Sequence, residues 1–459
     1  MRTAFPALAL ALSLSGCAGP AVETARVDPL APPDRWQTDL AADASLDQDW
    51  WLAFQDSALN DLIVRALANN PDIAIAGARI RDARAQELGA RAALLPTLDG
   101  LAAGARSRSV SPFGTPSEQT AAQPLLQASW EADLFGRLSD QKSAARSAWL
   151  ASKAARDSVR LSVTATAASG YVTLLALDAR LAIARQAIEA RQQALALIKR
   201  RTDAGYSPKL ELAQAQAEYQ SAVQIVAPLE QARSRQENAL RLLAGDLPGA
   251  ITRGAVLTAL KTPGIPEGLP SELLRRRPDV AQAELLLAAS DHSLSAARKR
   301  YLPQFRLTGS AGAAFSTLLK DPITSWSAGG SILAPLFQGG RLRAGVTSAA
   351  AQRDAAAFSY RKVALNAFRD VDDALAGVAR ADEQVGVFTA QRDALAETFR
   401  LASNRYRAGY SPYLEQLDAQ RGLLAAELGL VQAQADALMA RISLYQALGG
   451  GWRFDASAS

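Results

Sequence analysis

In Leu126-Gln127-Ala128-Ser129-Trp130-Glu131-Ala132-Asp133-Leu134, apolar and polar residues alternate without a break. A period of two predicts a strand with Leu126, Ala128, Trp130, Ala132 and Leu134 on one face and Gln127, Ser129, Glu131 and Asp133 on the other. The Gly/Ala-rich stretch from Thr97 to Val110 sits where the partner strand of a hairpin belongs. A second pair is predicted downstream: Phe305, Leu307, Ala311, Ala313 and Phe315 share a strand face, and a return strand runs from about Trp326 to Phe337. Turn chemistry marks the hairpin tips, around Pro112-Phe113-Gly114-Thr115-Pro116 and Leu319-Lys320-Asp321-Pro322.

Around these strands the period is helical. A helix is expected from about Ala58 to Leu95, broken at Asn70-Pro71 and ended at Leu94-Leu95-Pro96, because proline disfavours helix in the residue before it. Tyr301-Leu302-Pro303 ends its counterpart. No proline interrupts the chain between Pro124 and Pro208, or between Pro335 and Pro412. Leu174, Leu181, Ile188 and Leu195 fall at heptad steps in the first run, and Val371, Val378 and Val385 do so in the second. Sustained heptads mean helices supercoiled around neighbours. A helix from Leu138 to Ala204 would be ~100 Å long at 1.5 Å per residue, and its alanine-padded stripe lets neighbours approach closely.

The pattern is written twice. Ala204-Gly205-Tyr206-Ser207-Pro208 recurs as Ala408-Gly409-Tyr410-Ser411-Pro412, an offset of 204 (408 − 204). Asn70-Pro71-Asp72 is answered by Arg277-Pro278-Asp279 and Leu95-Pro96 by Leu302-Pro303, both at 207; Leu243-Ala244-Gly245 is echoed by Leu448-Gly449-Gly450 at 205. One unit of roughly 200 residues has been duplicated. In the pentapeptide, Gly205 is placed to end the long helix in a left-handed cap, Ser207 to cap the next helix and Pro208 to fill its first turn. Gly409, Ser411 and Pro412 repeat the device, so each copy is the tip of a helical hairpin.

Strands of about ten residues with one small or apolar face and one polar face fit a membrane barrel wall. A half-buried soluble sheet gives the same alternation. Four strands cannot close a barrel and an open edge cannot sit in lipid, so membrane strands would require an oligomer; three copies give twelve strands.

Composition narrows the chemistry. The chain has 459 residues and a net charge of +5 with no Lys/Arg run, which gives nucleic-acid binding little support. It has one histidine, His292, and one cysteine, Cys17. A His-based triad, a Cys/His metal cluster and a disulfide framework are therefore close to excluded, and no metal or cofactor is expected. The N-terminus reads as an export signal, with Arg2 ahead of an apolar stretch, Ala4 to Leu14, too short to span a bilayer. Leu14-Ser15-Gly16-Cys17 looks like a bacterial lipobox, which implies a diacylglyceryl thioether on Cys17 after cleavage; an ordinary secretory signal with an incidental cysteine is the alternative. Ala18 in place of Asp usually accompanies sorting of such lipoproteins to the outer membrane. The expected layout is a signal peptide at 1–16, a lipidated Pro/Ala/Asp-rich tether at 17–49, repeats at 50–250 and 251–453, and a tail at 454–459.

A duplicated unit of helix, strand hairpin and long helix pair behind a lipobox resembles the TolC/OprM family of outer-membrane efflux channels. Trp50-Trp51-Leu52-Ala53-Phe54, Leu59, Ala66-Leu67 and Asn69-Asn70 look like its N-terminal signature, and Arg275-Arg276-Arg277-Pro278-Asp279-Val280 with Tyr301-Leu302-Pro303 look like its mid-chain one. The match runs from about Trp50 to Trp452. It implies a mainly α fold with membrane β: a homotrimeric TolC-like barrel in which each protomer supplies four β-strands and long coiled-coil helices. It also implies an outer-membrane, lipid-anchored duct reaching into the periplasm, partnered by a periplasmic adaptor and an inner-membrane resistance-nodulation-division pump.

By the same resemblance the periplasmic end closes near the hairpin tips. Arg405 and Tyr406 match a constricting Arg-Tyr pair, Glu415 and Asp418 match a ring of acids, and Glu211 is the first-half counterpart of Glu415 (415 − 211 = 204). Three-fold symmetry would turn each carboxylate into a ring that favours cations. Some members place a constricting arginine inside the turn, where this chain has Ser411. The two glutamates also suit a bland role, complementing a helix N-terminus. The leading reading is a passive exit channel of a tripartite efflux pump for small molecules, with no catalytic step. A type I protein-secretion channel and a structural coiled-coil surface lipoprotein are the alternatives.

Overall fold

The computed structural model describes residues 22–26, 30–38, 41–110, 113–266 and 270–453. Cys17, the signal peptide and the tail lie outside the described residues. In chain order the elements are a 3₁₀ turn (Trp50–Phe54), α1 (Ser57–Asn69), α2 (Pro71–Ala92), β1 (Thr97–Val110), β2 (Pro116–Ala132), α3 (Arg137–Asp203) and α4 (Lys209–Leu243). A second 3₁₀ turn (Leu257–Ala259) precedes α5 (Pro270–Arg276), α6 (Pro278–Lys299), β3 (Gln304–Ser316), β4 (Ile323–Leu333), α7 (Arg341–Arg407) and α8 (Tyr413–Ala447). The second half repeats the first element for element, and α3 and α7 are both 67 residues long. The described residues form two compact units, each drawn from both halves: 22–26, 79–110, 113–153 and 282–362 in one, and 30–38, 41–78, 154–266, 270–281 and 363–453 in the other.

The first unit holds an antiparallel sheet of order β1-β2-β3-β4. Leu98 faces Ala128 and Gly100 faces Leu126; Trp130 faces Leu307, Leu126 faces Ala311, Ala311 faces Trp326 and Phe305 faces Ile332. Directly opposed residues put their side chains on one side of the sheet. The register therefore gathers Leu98, Gly100, Leu126, Ala128, Trp130, Leu307, Ala311, Trp326 and Ile332 in an apolar band on one face, with Arg106, Arg108, Glu118 and Thr120 beyond it toward the β1–β2 tip. It puts Gln127, Ser129, Glu131, Arg306, Thr308, Ser310, Ser325 and Ser327 on the other. From Phe305 to Phe315 the apolar face runs ten steps, ~26 Å in height at 3.4 Å per step and the ~40° tilt of barrel strands. β1 and β4 are exposed along their whole length, Trp326 at 81%, and each leaves one edge unpaired in the protomer.

β2 begins ten residues earlier than the alternation predicts, and Leu134 lies beyond its end; the return strand spans Ile323–Leu333 rather than 326–337. Pro124 is the physical reason for the first difference. It sits opposite Ala102 in the β1 ladder, while pairing with β3 skips Gln123 and Pro124 and resumes at Leu125. A residue with no N–H reads as a strand end, yet here it interrupts one ladder only. Below the sheet, the Asp133 carboxylate accepts from the Leu138 and Ser139 amides and caps α3 at 3.0 and 2.7 Å.

The second unit carries the main core, built on Trp50, Phe54, Leu59, Leu62, Ile63, Tyr171, Leu174, Ile442 and Tyr445, with the Trp50 and Tyr445 rings stacked 5.3 Å apart. The heptad residues Leu174, Leu181, Val371 and Val378 are all buried. The duplicated motifs do duplicated work. Asn70 caps α2 through the Asp72 amide and donates to the Leu243 carbonyl at the end of α4; Arg277 donates to the Ala447 carbonyl at the end of α8. Both satisfy carbonyls left orphaned by a helix terminus. Gly245 and Gly449 follow those termini at φ +73° and +92°, and a Cβ there would strike the carbonyls of Asn69 and Arg276. Only glycine fits either place.

Candidate gate at the hairpin tips

The tips lie in the second unit. Gly205 (φ +79°) donates to the Thr202 carbonyl and Tyr206 to that of Arg201; Gly409 (φ +77°) donates to Tyr406 and Tyr410 to Arg405. These are paired Schellman motifs, closing α3 and α7 as the glycines predict. The serines behave differently. The N-cap positions of α4 and α8 are Pro208 and Pro412, with extended backbone and no side-chain cap bond, so Ser207 and Ser411 stand one residue too early to cap. The proline carbonyls instead accept from the Glu211 and Glu415 amides at 3.1 and 3.2 Å. The Ser411 hydroxyl is buried without a hydrogen-bond partner among the described residues.

The residues expected at the gate fall into three groups. Arg405 Nη1 pairs with Glu415 Oε1 at 3.4 Å across the second tip, with both side chains part exposed. Tyr406 Oη donates to Glu211 Oε2 at 3.4 Å, which ties α7 to α4 and so one hairpin to the other. Its ring lies 5.4 Å from that of buried Tyr413 and 5.9 Å from the Arg201 guanidinium. Burial, then the neighbouring Glu211 charge, pushes the Tyr406 hydroxyl above its ordinary pKa, so it remains a donor. Asp418 stands apart from the tip, 3.5 Å from Arg421 on its own helix. Glu211 and Glu415 also occupy the first turns of α4 and α8, where a carboxylate complements the helix dipole, so the gate and dipole roles coincide in position.

Known proteins share this fold. The outer membrane efflux protein family matches twice, over residues 62–246 and 269–450. The chain belongs to that family. It is 36% identical over 463 residues to the pyoverdine export outer membrane protein OpmQ of Pseudomonas putida, covering 98% of this chain and 97% of OpmQ. The crystal structure of a membrane protein from Pseudomonas aeruginosa superposes with a TM-score of 0.85 at 32% identity, covering 94% of this chain and all of that one. The open-state MtrE outer membrane channel of Neisseria gonorrhoeae gives 0.83 at 31% identity, over 94% of this chain and 98% of MtrE. The efflux protein is thus an outer-membrane channel and not an enzyme, and the structural-lipoprotein alternative falls away.

One cluster in this efflux protein escaped the sequence reading. Glu218 on α4 lies between Arg191 on α3 and Arg421 on α8, 3.4 Å from Arg191 Nη1 and hydrogen-bonded by Arg421 Nε at 2.8 Å. Arg191 and Glu218 are each only 4% exposed. Arg191 Nη1 also donates to the Glu218 carbonyl at 2.9 Å. Burial lowers the Arg191 pKa, opposed by the Glu218 charge, while the Glu218 hydrogen bond raises that of Arg421. The duplication held a signal. At the offset of 204, Arg191 and Glu218 correspond to Leu395 and Gly422, and the Leu395 side chain lies 3.2 Å from where a Gly422 Cβ would be. One half bolts its hairpin with a buried ion pair; the other packs leucine on glycine.

Proposed function

We propose that three copies close a twelve-stranded barrel around a passive duct that carries small molecules outward, gated at the hairpin tips by Arg405, Tyr406, Glu211, Glu415 and Asp418. The observation that carries this is the sheet: one apolar band and two unpaired edges in a chain of an outer-membrane family. Unpaired backbone cannot face hydrocarbon, so the edges must find other copies. The tips supply the second element, because the Tyr406–Glu211 bond joins two hairpins whose separation would widen the bore. With no chemistry of its own to drive transport, the duct takes its energy from a periplasmic adaptor and an inner-membrane resistance-nodulation-division pump. Lipid on Cys17 anchors the chain beside its barrel, and the two repeats, 50–250 and 251–453, each contribute one strand hairpin and one helical hairpin. OpmQ is named for pyoverdine export, which supports a small-molecule cargo here. Single-channel recording in planar bilayers, on detergent-purified protein sized for its oligomer, tests this. Discrete cation-selective steps from a trimer are expected; a monomer that inserts nothing would overturn it.

A further inference from the structure

At the base of the sheet, within the first unit, a cavity of about 450 Å³ is lined by four arginines and one acid: Arg137, Arg300, Arg306, Arg341 and Glu131. The acid is committed. Glu131 pairs with Arg137 at 2.6 Å, with both side chains largely buried. Arg341 is held by the Gln338 side chain, a neutral acceptor that leaves its charge uncompensated. Arg300 and Arg306 make no side-chain hydrogen bond or ion pair among the described residues. The buried Nε of Arg137 is likewise without a partner. Four guanidiniums against one carboxylate leave a formal surplus of three positive charges around one cavity. Like charges gathered this closely repel each other, and an anion is what relieves them.

The face matters as much as the charge. Arg306 is the direct cross-strand partner of Glu131 and shares its face with Thr308, Ser310 and Ser129, on the polar side opposite Leu307 and Trp130. A lipid headgroup would approach from the apolar side, and a dissolved molecule from the polar one. We propose that this cavity is a binding site for the oxyanion group, phosphate or carboxylate, of a solute passing along the polar face of the sheet. The inference rests on the duct reading for what brings the solute there, but not for binding itself. It gives the channel an anion-preferring collar at the sheet base, where the acids of the tips alone would favour cations throughout.

Pyrophosphate serves as the probe. Titrated calorimetrically into the full-length detergent-purified protein, it should bind saturably, and Arg300→Gln/Arg306→Gln should weaken binding by about tenfold or more, since both charge-assisted hydrogen bonds are lost. Arg300→Lys/Arg306→Lys keeps the charge without the planar fork and should fall between. Unaltered affinity in both double variants, or no binding by folded wild type, overturns the site. Displacement of pyrophosphate by anionic phosphatidylglycerol bicelles would overturn the assignment to a solute. In bilayers, pyrophosphate should block wild-type current and spare the glutamine variant. Protein that binds pyrophosphate yet never conducts would leave the collar standing and refute the duct.

Discussion

Replacing Glu218 with alanine should loosen the hairpin tips far more than replacing the arginine that bonds it from outside. Glu218→Ala leaves the Arg191 charge buried without its ion-pair partner, since that side chain is 4% exposed and pairs with Glu218. Removing one partner of a buried pair costs about 3–5 kcal/mol. Arg421→Ala deletes a side chain that is 52% exposed and leaves the buried pair intact, a loss of about 1 kcal/mol or less. Hydrogen exchange read by mass spectrometry along α3 and α4 reports both. At 1.4 kcal/mol per tenfold, the first variant should lose about a hundredfold or more of local protection and the second about fivefold or less. The other half of the molecule supplies the control. Arg191→Leu/Glu218→Gly copies the Leu395–Gly422 contact and should recover most of the loss, less about 1 kcal/mol for a glycine within a helix. Equal exchange in Glu218→Ala and Arg421→Ala, or a double variant looser than Glu218→Ala, would refute the argument.

Three further outcomes are expected. Glu415→Ala with Asp418→Ala should weaken cation preference while the trimer still forms; unchanged reversal potentials would remove both acids from the gate. Cys17→Ser should yield an unlipidated precursor or a soluble periplasmic form, and metabolic labelling that still finds acyl chain on the variant would refute the lipobox. Tyr171 is fully buried, donates to Asp56 and accepts from the Gly254 amide; burial, reinforced by Asp56, pushes its pKa up from 10.0 to about 12. A raised pKa stabilises the fold fully below pH 10 and the contribution fades as pH climbs toward 12, on the order of 3 kcal/mol in all. Tyr171→Phe should be less stable at neutral pH and flatter across that alkaline window; denaturant midpoints that fall as steeply as in wild type would assign the titration to another group.

How much was legible in the sequence follows from which signals are local. Helix ends were, because Pro71 and Pro96 and the glycines at 205 and 409 act on their own backbone. Alternation from Leu126 gave the faces of β2, and the register extended them across four strands. Pro124 hid the first part of that strand, since a missing N–H does not say which ladder will go unpaired. Ser207 and Ser411 misled because either residue of a Ser-Pro pair can take the cap, and turn geometry set by Gly205 and Gly409 chose proline. Of the site, Arg405 with Glu415 and Tyr406 with Glu211 do meet, whereas Asp418 looks to Arg421. The Arg191–Glu218–Arg421 cluster joins three helices 27 and 203 residues apart in sequence, and no periodicity reports a contact of that kind.

The open edges of β1 and β4 set the order of events in biogenesis. A single chain that reached the membrane would expose both edges to lipid, and a pair would still leave two. Insertion must therefore wait for the encounter that completes the ring, so its rate should rise with more than the first power of protomer concentration. Until then the sheet is a sticky surface in an aqueous compartment, its two open edges templates for pairing with the wrong chain.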